Sequence, residues 1–397
     1  MEIITSLYKI KPIEKKINRS ADNFFVEEID IFGNIYEINK IHKPKWEKEE
    51  DYMIVVMQKR NWSTINATKE ICKKLGISKK RVSFAGNKDK NSTSVQLISL
   101  YKTKIEEIEK INIKDIKILG KWYWDKKIQL GDLLGNRFRL KVSLSESDIL
   151  LFGEILESIN SLIPNYFGEQ RFGIRKNNHL IGKLIVKNDL KNAVLEYLTA
   201  SRPDENSEVR KIRKELKDTL DFKRAIKEYP TFLKNERILL EHLVKNPNDF
   251  VGAFRKLHKK ILLMFVHAYQ SYLFNKNLAK KIEEERLFEI ESGEYFCGLN
   301  WYSFPDIYRI NGKIPVGKII GYDTKINESE KKLLEEEGIG VNDFKIKSIP
   351  ELSQRGSYRP ILVPLKDFIV DEDGISFELP AGSYATVALR ELISVVN

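Results

Sequence analysis

One acidic residue in this chain stands where it could do covalent chemistry. Asp89 lies between Lys88 and Lys90 in the stretch FAGNKDKNSTSVQL, residues 84–97. Two neighbouring ammonium groups favour an ionised carboxylate, so Asp89 is a candidate nucleophile rather than a general acid. Gly86 has no side chain, which would let the chain come close to a ligand here. The alternative is an ordinary exposed turn, because glycine, asparagine, aspartate and lysine are common in turns.

The elements that must position Asp89 read as an α+β domain. Apolar residues at helical spacing predict one helix before it, capped by Ser63 or Thr64 and ended by Gly76. Alternating and β-branched runs predict strands on both sides. These runs are FFVEEIDIFGNIYEI, read as two strands around a turn at Gly33 and Asn34, then DYMIVVMQKR, Val82–Phe84, VQLISL and GNRFRLKVSL.

The later part of the chain has a different pattern. Beyond about Asn165, long charged stretches such as residues 207–229 predict helices. Strand-like sequence returns from Arg359 in RPILVPLKDFIVDEDGISFELPAG, and a helix follows from Ala385. We therefore expect a discontinuous α+β domain with a mixed, mostly antiparallel sheet and an inserted, mainly helical domain. The expected bounds are 1–164 and 352–397 for the first and 165–351 for the second.

Composition points to a polyanionic partner and a reducing compartment. Lys and Arg number 68 against 57 Asp and Glu, a formal net charge of +11, although heat-adapted proteomes share this bias. Cys72 and Cys297 are far apart and belong to no CxxC pair, so neither a disulfide framework nor a zinc site is expected. The sequence shows no export signal and no membrane span, so we expect a cytoplasmic protein.

Several enzyme classes lack their motifs in this chain. The phosphate-binding GxxxxGK[ST] loop, GxGxxG, HExxH and GxSxG are all absent, and the five histidines have no ligand spacing. Nucleotide hydrolysis, metal-dependent hydrolysis and serine-esterase chemistry are therefore not indicated. An RNA methyltransferase would need a glycine-rich cofactor loop, which the sequence does not contain.

Six stretches together resemble the TruD family of RNA pseudouridine synthases. AGNKDKNSTSVQ is similar to the family signature AG-x-KD-x-x-(A/S)-x-(T/S)-x-Q, which contains the acidic residue. The other stretches are NFFVEE, GNRF, PNYFGEQRFG, QSYLFN and LPAGSYATVALRE. The family often has alanine where Ser92 stands and phenylalanine where Tyr384 stands. The matches span both ends and the middle of the chain.

The resemblance implies an isomerase that needs no cofactor. Such enzymes convert a uridine of tRNA, typically at position 13 of the D-arm, to pseudouridine. Asp89 would be the nucleophile, and its target, uracil C6 or ribose C1′, stays open. The resemblance implies tRNA as the partner and indicates no obligate protein partner. The nucleotide would have to leave its stack, so a binding pocket with aromatic side chains is needed.

The resemblance also assigns substrate contacts. Phe24 and Tyr384 would line the substrate pocket and Phe138 would lie beside the nucleophile, although ordinary packing of these aromatic residues is the alternative. Asn136 shares a strand face with Phe138 and could bond the carboxylate or the uracil edge. We also expect substrate contacts from Lys88, beside the nucleophile, and from Arg171, which would contact the RNA. These six residues are the predicted binding set.

A second function is compatible with the same sequence. A non-catalytic tRNA-binding protein or RNA chaperone could keep the same fold and cleft without turnover. Asp89, Asn136 and all three aromatic positions are filled in this sequence, which favours a working enzyme.

Overall fold

The structure, a computed structural model, describes residues 13–15, 20–44, 51–158 and 161–395. Contacts within the chain divide it into two compact units. We call them the sheet unit and the helical unit. The sheet unit contains the described parts of Ser6–Asn165, Leu299–Asp306 and Leu362–Asn397, and the helical unit contains Tyr166–Gly298 and Ile307–Ile361.

The secondary structure alternates in the first part of the chain and is mainly helical in the middle. The strands of the described residues are β1 (Ile13–Lys15), β2 (Phe24–Ile29), β3 (Tyr52–Arg60), β4 (Val82–Phe84), β5 (Thr93–Tyr101), β6 (Ile116–Trp124), β7 (Gly135–Lys141), β8 (Leu162–Pro164), β9 (Tyr295–Leu299), β10 (Pro305–Ile310), β11 (Ile314–Ile319), β12 (Ser357–Pro360), β13 (Leu362–Pro364), β14 (Lys366–Asp371), β15 (Gly374–Pro380) and β16 (Ile393–Val395). The helices are α1 (Thr64–Leu75), α2 (Ile105–Glu109), α3 (Glu146–Ser158), α4 (Asn178–Val186), α5 (Leu190–Thr199), α6 (Ser207–Thr219), α7 (Phe222–Glu228), α8 (Lys234–Lys245), α9 (Phe250–Arg255), α10 (Lys259–Glu283), α11 (Glu328–Glu337) and α12 (Ala385–Leu392).

The sheet unit is built on an eight-stranded sheet. The strand order is β14-β15-β7-β2-β5-β3-β6, and β4 pairs with β5 beside that path. Strands β2 and β5 run parallel, while the other described neighbours in this sheet are antiparallel. This mixed, mostly antiparallel sheet confirms the predicted fold class.

Two apolar clusters and one polar strip occupy one face of this sheet. Val26 lies opposite Ser94 and Glu28 lies opposite Asn136, so side-chain alternation places Glu28, Ser94, Gln96 and Asn136 on one face. We call these four residues the polar strip. An apolar cluster against α3 and α12 includes Val26 and Phe138, and a second cluster against α1 includes Ile98. The polar strip therefore belongs to the face that otherwise carries the core.

Most predicted elements formed, and the exceptions have local causes. Strand β3, helix α1 with Ser63 as its cap, and the hairpin β14–β15 agree with the sequence analysis. The second strand expected after Gly33 is wrong, because only a single bridge joins Ile29 to Ile35. Strand β6 was not predicted. Its Gly120 lies at a register shift and packs so tightly that an added Cβ would stand 2.5 Å from a main-chain oxygen.

The helical unit packs α4–α9 and α11 around the 25-residue helix α10. Gly182 allows close packing here, since an added Cβ would stand 2.1 Å from the Phe265 carbonyl oxygen. The unit also contains strands of a four-stranded sheet, order β10-β9-β11-β12, which was not predicted from the sequence pattern. None of the helices in the described part of the chain combines the length and apolar character needed to cross a bilayer.

Candidate active site

Asp89 lies in the connection between β4 and β5, residues 85–92, which we call the Asp89 loop. Phe84, the last residue of β4, pairs with Ile98 in the middle of β5, whereas β5 begins at Thr93. The chain between the two strands must therefore run back alongside β5 to its first residue. The loop makes this return, and the Asp89 side chain on it is exposed to solvent. A carboxylate placed in this way is accessible to a large substrate.

Buried side chains hold the first half of the Asp89 loop. Thr64, at the start of α1, accepts a hydrogen bond from the Lys88 main-chain N–H at 2.8 Å and donates one to Gln96 at 2.7 Å. Gln96 in turn donates to the Gly86 carbonyl oxygen at 3.0 Å. A Cβ added at Gly86 would find its nearest described neighbour, Lys88 Nζ, at 3.7 Å, so the packing around it would accept a side chain, and close approach of a ligand at Gly86 stays a prediction.

The main-chain carbonyl of Asp89 is held by two further buried side chains. Lys59 Nζ donates to it at 2.8 Å, and the Ser92 hydroxyl donates to it at 3.0 Å. Lys59 Nζ also donates to the carbonyl of Trp62 at 2.6 Å. Both donors are fully buried, so the main chain of Asp89 is fixed from the protein interior while its side chain stays exposed to solvent.

Lys88 forms a buried ion pair. Its Nζ lies 2.6 Å from Glu28 Oε2, and both side chains are almost fully buried. The other oxygen of Glu28 accepts the main-chain N–H of Leu97 at 3.0 Å. The ammonium that was expected to act on Asp89 and the substrate is thus bound to Glu28, and a substrate contact by Lys88 stays a prediction.

The Lys59 amino group has a strongly lowered pKa. Burial lowers the pKa of its amino group to about 7, the Asp89 carboxylate opposes that shift, and the Lys88 ammonium adds to it. Among the residues that the structure describes, none offers Lys59 a carboxylate at ion-pair distance. Within the described ranges, the hydrogen bonds of its amino group are to the carbonyl oxygens of Trp62 and Asp89.

The two phenylalanines of the predicted binding set are buried. Phe24 and Phe138 stack with ring centroids 6.1 Å apart, and Phe138 also contacts Phe377 at 5.8 Å. Phe24 immediately precedes Phe25, which pairs with Thr93 at the end of the Asp89 loop. The start of β2 therefore lies beside that loop, but contact of either ring with a substrate stays a prediction.

Asn136 is a half-buried residue whose side-chain oxygen has no hydrogen-bond partner among the described residues. Its Oδ1 is buried, as is the hydroxyl of Ser94 in the same polar strip, and neither atom has a hydrogen-bond partner among the described residues. Gly135 lets β7 approach β15, because an added Cβ there would stand 2.1 Å from the Leu379 carbonyl oxygen. Buried polar atoms are normally paired, so the polar strip retains capacity to bind polar groups.

Tyr384 and Arg171 complete the predicted binding set. Tyr384 is half-buried at the start of α12, five residues after Leu379, which pairs with Asn136. Arg171 belongs to the helical unit, where its Nε donates to the Ser271 hydroxyl at 3.0 Å and its guanidinium lies 5.5 Å from the Phe167 ring. The roles of both residues in binding stay predictions.

The described residues contain no group of three or more histidine, cysteine, aspartate or glutamate side chains placed to hold a metal ion. Cys72 and Cys297 are free and buried.

Comparisons with known proteins agree on one family. The family model for tRNA pseudouridine synthase D (TruD) matches residues 1–392. The probable tRNA pseudouridine synthase D of Methanosarcina mazei is 38% identical over 392 residues, covering 88% of this chain and 89% of the relative. That of Archaeoglobus fulgidus is 38% identical over 411 residues, covering 95% and 94%. This chain belongs to the TruD family.

A solved structure extends the agreement to the fold. The crystal structure of a putative tRNA pseudouridine synthase D from Methanosarcina mazei matches with a TM-score of 0.75 and 33% identity, covering 98% of this chain and 95% of that one. The membership predicted from six short stretches is thereby confirmed, and so is the pseudouridine synthase fold.

The TruD stretches contain only part of the network that holds Asp89. Glu28 lies in NFFVEE, and Ser92 and Gln96 lie in the stretch around Asp89, but none of the three was singled out as functional. Lys59 and Thr64 lie outside the six stretches. The sequence does contain one signal for these residues: Lys59 and Gln96 are polar side chains within runs that otherwise read as buried strands.

Proposed function

We propose that this protein converts a uridine of tRNA to pseudouridine, with Asp89 as the nucleophile. Membership of the TruD family supports the reaction and the RNA substrate. The observation that carries the assignment to Asp89 is the set of buried donors on its carbonyl, which fix the main chain while the side chain remains exposed. A carboxylate held in this way is preorganised for attack and still open to RNA.

The reaction is an isomerisation, so its atoms balance without a co-reactant. The Asp89 carboxylate forms a covalent bond to the target nucleotide, at uracil C6 or at ribose C1′. The bond between N1 and C1′ breaks, the uracil turns, and C5 bonds to C1′. C5 loses a proton, N1 gains one, and release of the carboxylate restores Asp89. No electrons enter or leave.

The polar strip supplies groups that suit a uracil edge. Uracil offers one N–H donor at N3 and carbonyl acceptors at O2 and O4, while Asn136 Oδ1 is an acceptor and the Ser94 hydroxyl is a donor or an acceptor. We propose that these two groups bind the uracil while it is detached from the sugar. Phe24, Phe138 and Tyr384 would form the apolar walls that limit its escape.

The rest of the tRNA needs a larger basic surface. Within the helical unit, α6 exposes Arg210, Lys211, Lys214 and Lys217. We propose that this helix and Arg171 contact the RNA backbone, that the target is the uridine at position 13 of the D-arm, and that the sheet unit is the catalytic domain and the helical unit the inserted one. The two free cysteines suit the reducing cytoplasm that we propose as its location.

The test uses the purified protein and an unmodified tRNA transcript. Pseudouridine is mapped along the transcript after incubation without added cofactor, with wild-type protein beside an Asp89→Asn variant. We expect one modified position in the D-arm for the wild type and none for the variant. Tight binding by the wild type without any pseudouridine would instead identify a non-catalytic tRNA-binding protein.

The RNA contact has its own signature. Neutralised phosphates release counterions, so the affinity for tRNA should fall steeply as salt is raised from 50 to 200 mM, by roughly 10³-fold if about six phosphates are contacted. An affinity that does not change with salt would contradict a binding surface built from lysine and arginine.

A further inference from the structure

Lys59 is fully buried, and its amino group joins two separate loops. It lies near the end of β3 and reaches both the Trp62 carbonyl at 2.6 Å and the Asp89 carbonyl at 2.8 Å. The same loops meet at a second point, where the Asn61 N–H donates to the Ser92 carbonyl at 3.2 Å. The Asp89 loop is therefore anchored to the segment that leads into α1.

Other buried lysines of this protein have a carboxylate. Lys88 is bound to Glu28 at 2.6 Å, Lys281 to Glu294 at 2.8 Å and Lys318 to Glu330 at 2.8 Å. Within the described ranges, Lys59 has no such partner, and the charge that opposes its loss of a proton is that of Asp89. Burying an unpaired ammonium is costly, so a lysine here calls for a reason other than packing.

We infer that Lys59 is the positioning residue of the nucleophile: its amino group fixes the carbonyl of Asp89 and thereby the direction in which the exposed carboxylate points. The inference rests on the proposed role of Asp89. Lys59 itself touches no reacting atom and is not a catalytic residue.

The geometry explains how a buried group can direct an exposed one. The carbonyl carbon and Cβ are both bonded to the Cα of Asp89, so fixing the carbonyl restricts the orientation of the Cα–Cβ bond. A neutral amine keeps two N–H donors, which equals the number of carbonyls that Lys59 bonds. The anchor therefore persists in both protonation states, while the ammonium form additionally attracts the Asp89 carboxylate.

The Ser92 hydroxyl is a second donor to the same carbonyl but a weaker anchor. It bonds the carbonyl of a residue only three positions away, so it restrains the loop against itself. Lys59 bonds across 30 positions and ties the loop to the sheet. Lys59 is for this reason the donor whose loss should move Asp89 most.

The experiment compares Lys59→Met with Lys318→Met. Methionine keeps the apolar stem and removes the donors, and Lys318 is a matched control because its Nζ bonds two carbonyls, of Ser292 and Lys325, as well as Glu330. Single-turnover rates are measured at saturating tRNA and at a temperature below the thermal unfolding midpoint of each variant. We expect Lys59→Met to lose at least about 100-fold in rate with tRNA affinity within threefold, since misplacing a reacting group by about 1 Å costs that much.

Each remaining outcome has a definite meaning. A folded Lys59→Met variant with a rate within threefold of wild type overturns the inference, as does an equal loss in Lys318→Met. If wild type makes pseudouridine and Asp89→Asn does not, the proposed function stands whatever Lys59→Met shows. If Asp89→Asn remains active, the proposed function itself fails.

A second variant keeps the inference testable if Lys59→Met does not fold. Asp89→Glu changes an exposed side chain and moves the carboxylate outward by one methylene. If the main chain fixes the position of the carboxylate, this variant should also lose at least about 100-fold in rate. A rate within fivefold of wild type would show that the carboxylate is not held in one place, and would overturn the inference.

Discussion

Two loops of this protein are each anchored by a buried lysine, and they differ in what balances the charge. In the helical unit, Lys318 bonds two carbonyls and the carboxylate of Glu330. In the sheet unit, Lys59 bonds two carbonyls, and among the described residues no carboxylate joins them. The first anchor is a complete ion pair, and the second leaves its charge to act on Asp89.

The difference separates a structural anchor from one that serves a site. A buried lysine that is paired with a carboxylate holds its loop, but the carboxylate neutralises its charge, so it has little electrostatic effect on other groups. Lys59, which has no bonded carboxylate among the described residues, also holds its loop but has a pKa of about 7, because burial opposes its charge and the more distant Asp89 carboxylate favours it. Perturbed groups of this kind concentrate at functional sites.

The largest expected effect concerns the paired anchor. Lys318→Met would leave Glu330 buried without its cation, and burial already raises the pKa of that carboxyl group. Breaking a buried pair in this way costs roughly 3–5 kcal/mol in the free energy of unfolding. Denaturant unfolding measures it, and the double variant Lys318→Met with Glu330→Gln should recover part of the loss. A loss below about 1 kcal/mol would remove the contrast between the two anchors.

A smaller loss is expected at the anchor without a carboxylate. Lys59→Met leaves the Trp62 carbonyl without its bond, while Asp89 keeps the bond from Ser92. An unpaired buried carbonyl costs about 1–3 kcal/mol, and removing an unpaired buried cation offsets part of it. The same denaturant titration should therefore show a smaller decrease than for Lys318→Met. An equal or larger decrease would mean that Lys59 is mainly structural.

The lowered pKa of Lys59 should make the free energy of unfolding depend on pH. The pKa of Lys59 is about 7 in the folded protein against an ordinary value of 10.5, so between these values the unfolded chain binds more protons. Stability should then rise with pH across this window, by up to about 1.4 kcal/mol per pH unit from this group. Asp89 and Lys88 are the charged groups that act on it. Subtracting the Lys59→Met curve isolates the slope, and identical slopes would contradict the lowered pKa.

The smallest effect is expected at the second donor. Ser92→Ala removes the hydroxyl bond to the Asp89 carbonyl but leaves that of Lys59, so the stability loss should be near 1 kcal/mol and the rate loss under about tenfold. Combined with Lys59→Met, the two changes should not be additive, because both act on one carbonyl. Strict additivity in single-turnover rates would show that the two donors hold Asp89 independently.

Local patterns predicted the sheet unit well. Apolar, β-branched and alternating runs identified β3, β5 and β7, and a serine cap with a glycine at the far end of the helix identified α1. They missed the sheet in the helical unit, where Pro315 and Gly317 interrupt the strand pattern of β11. Propensity fails here because the strand is fixed by its neighbours β9 and β12 rather than by its own residues.

The candidate site was predictable in its centre but not in its supports. Asp89 could be singled out because its local setting and the TruD stretches both mark it. The ion pair between Glu28 and Lys88 joins residues 60 positions apart, and nothing in either local pattern indicates the other. The substrate contact expected of Lys88 was inferred from its chain neighbour Asp89 alone, and that contact stays a prediction.

The assignment of Asp89 as nucleophile is tested most directly by pseudouridine formation in an Asp89→Asn variant. Asp51→Asn, another exposed aspartate of the sheet unit, is the control. We predict that Asp89→Asn forms no detectable pseudouridine, binds tRNA within threefold of wild type and unfolds at the same denaturant concentration, while Asp51→Asn behaves as wild type. Pseudouridine formation by Asp89→Asn at the wild-type rate would contradict the account.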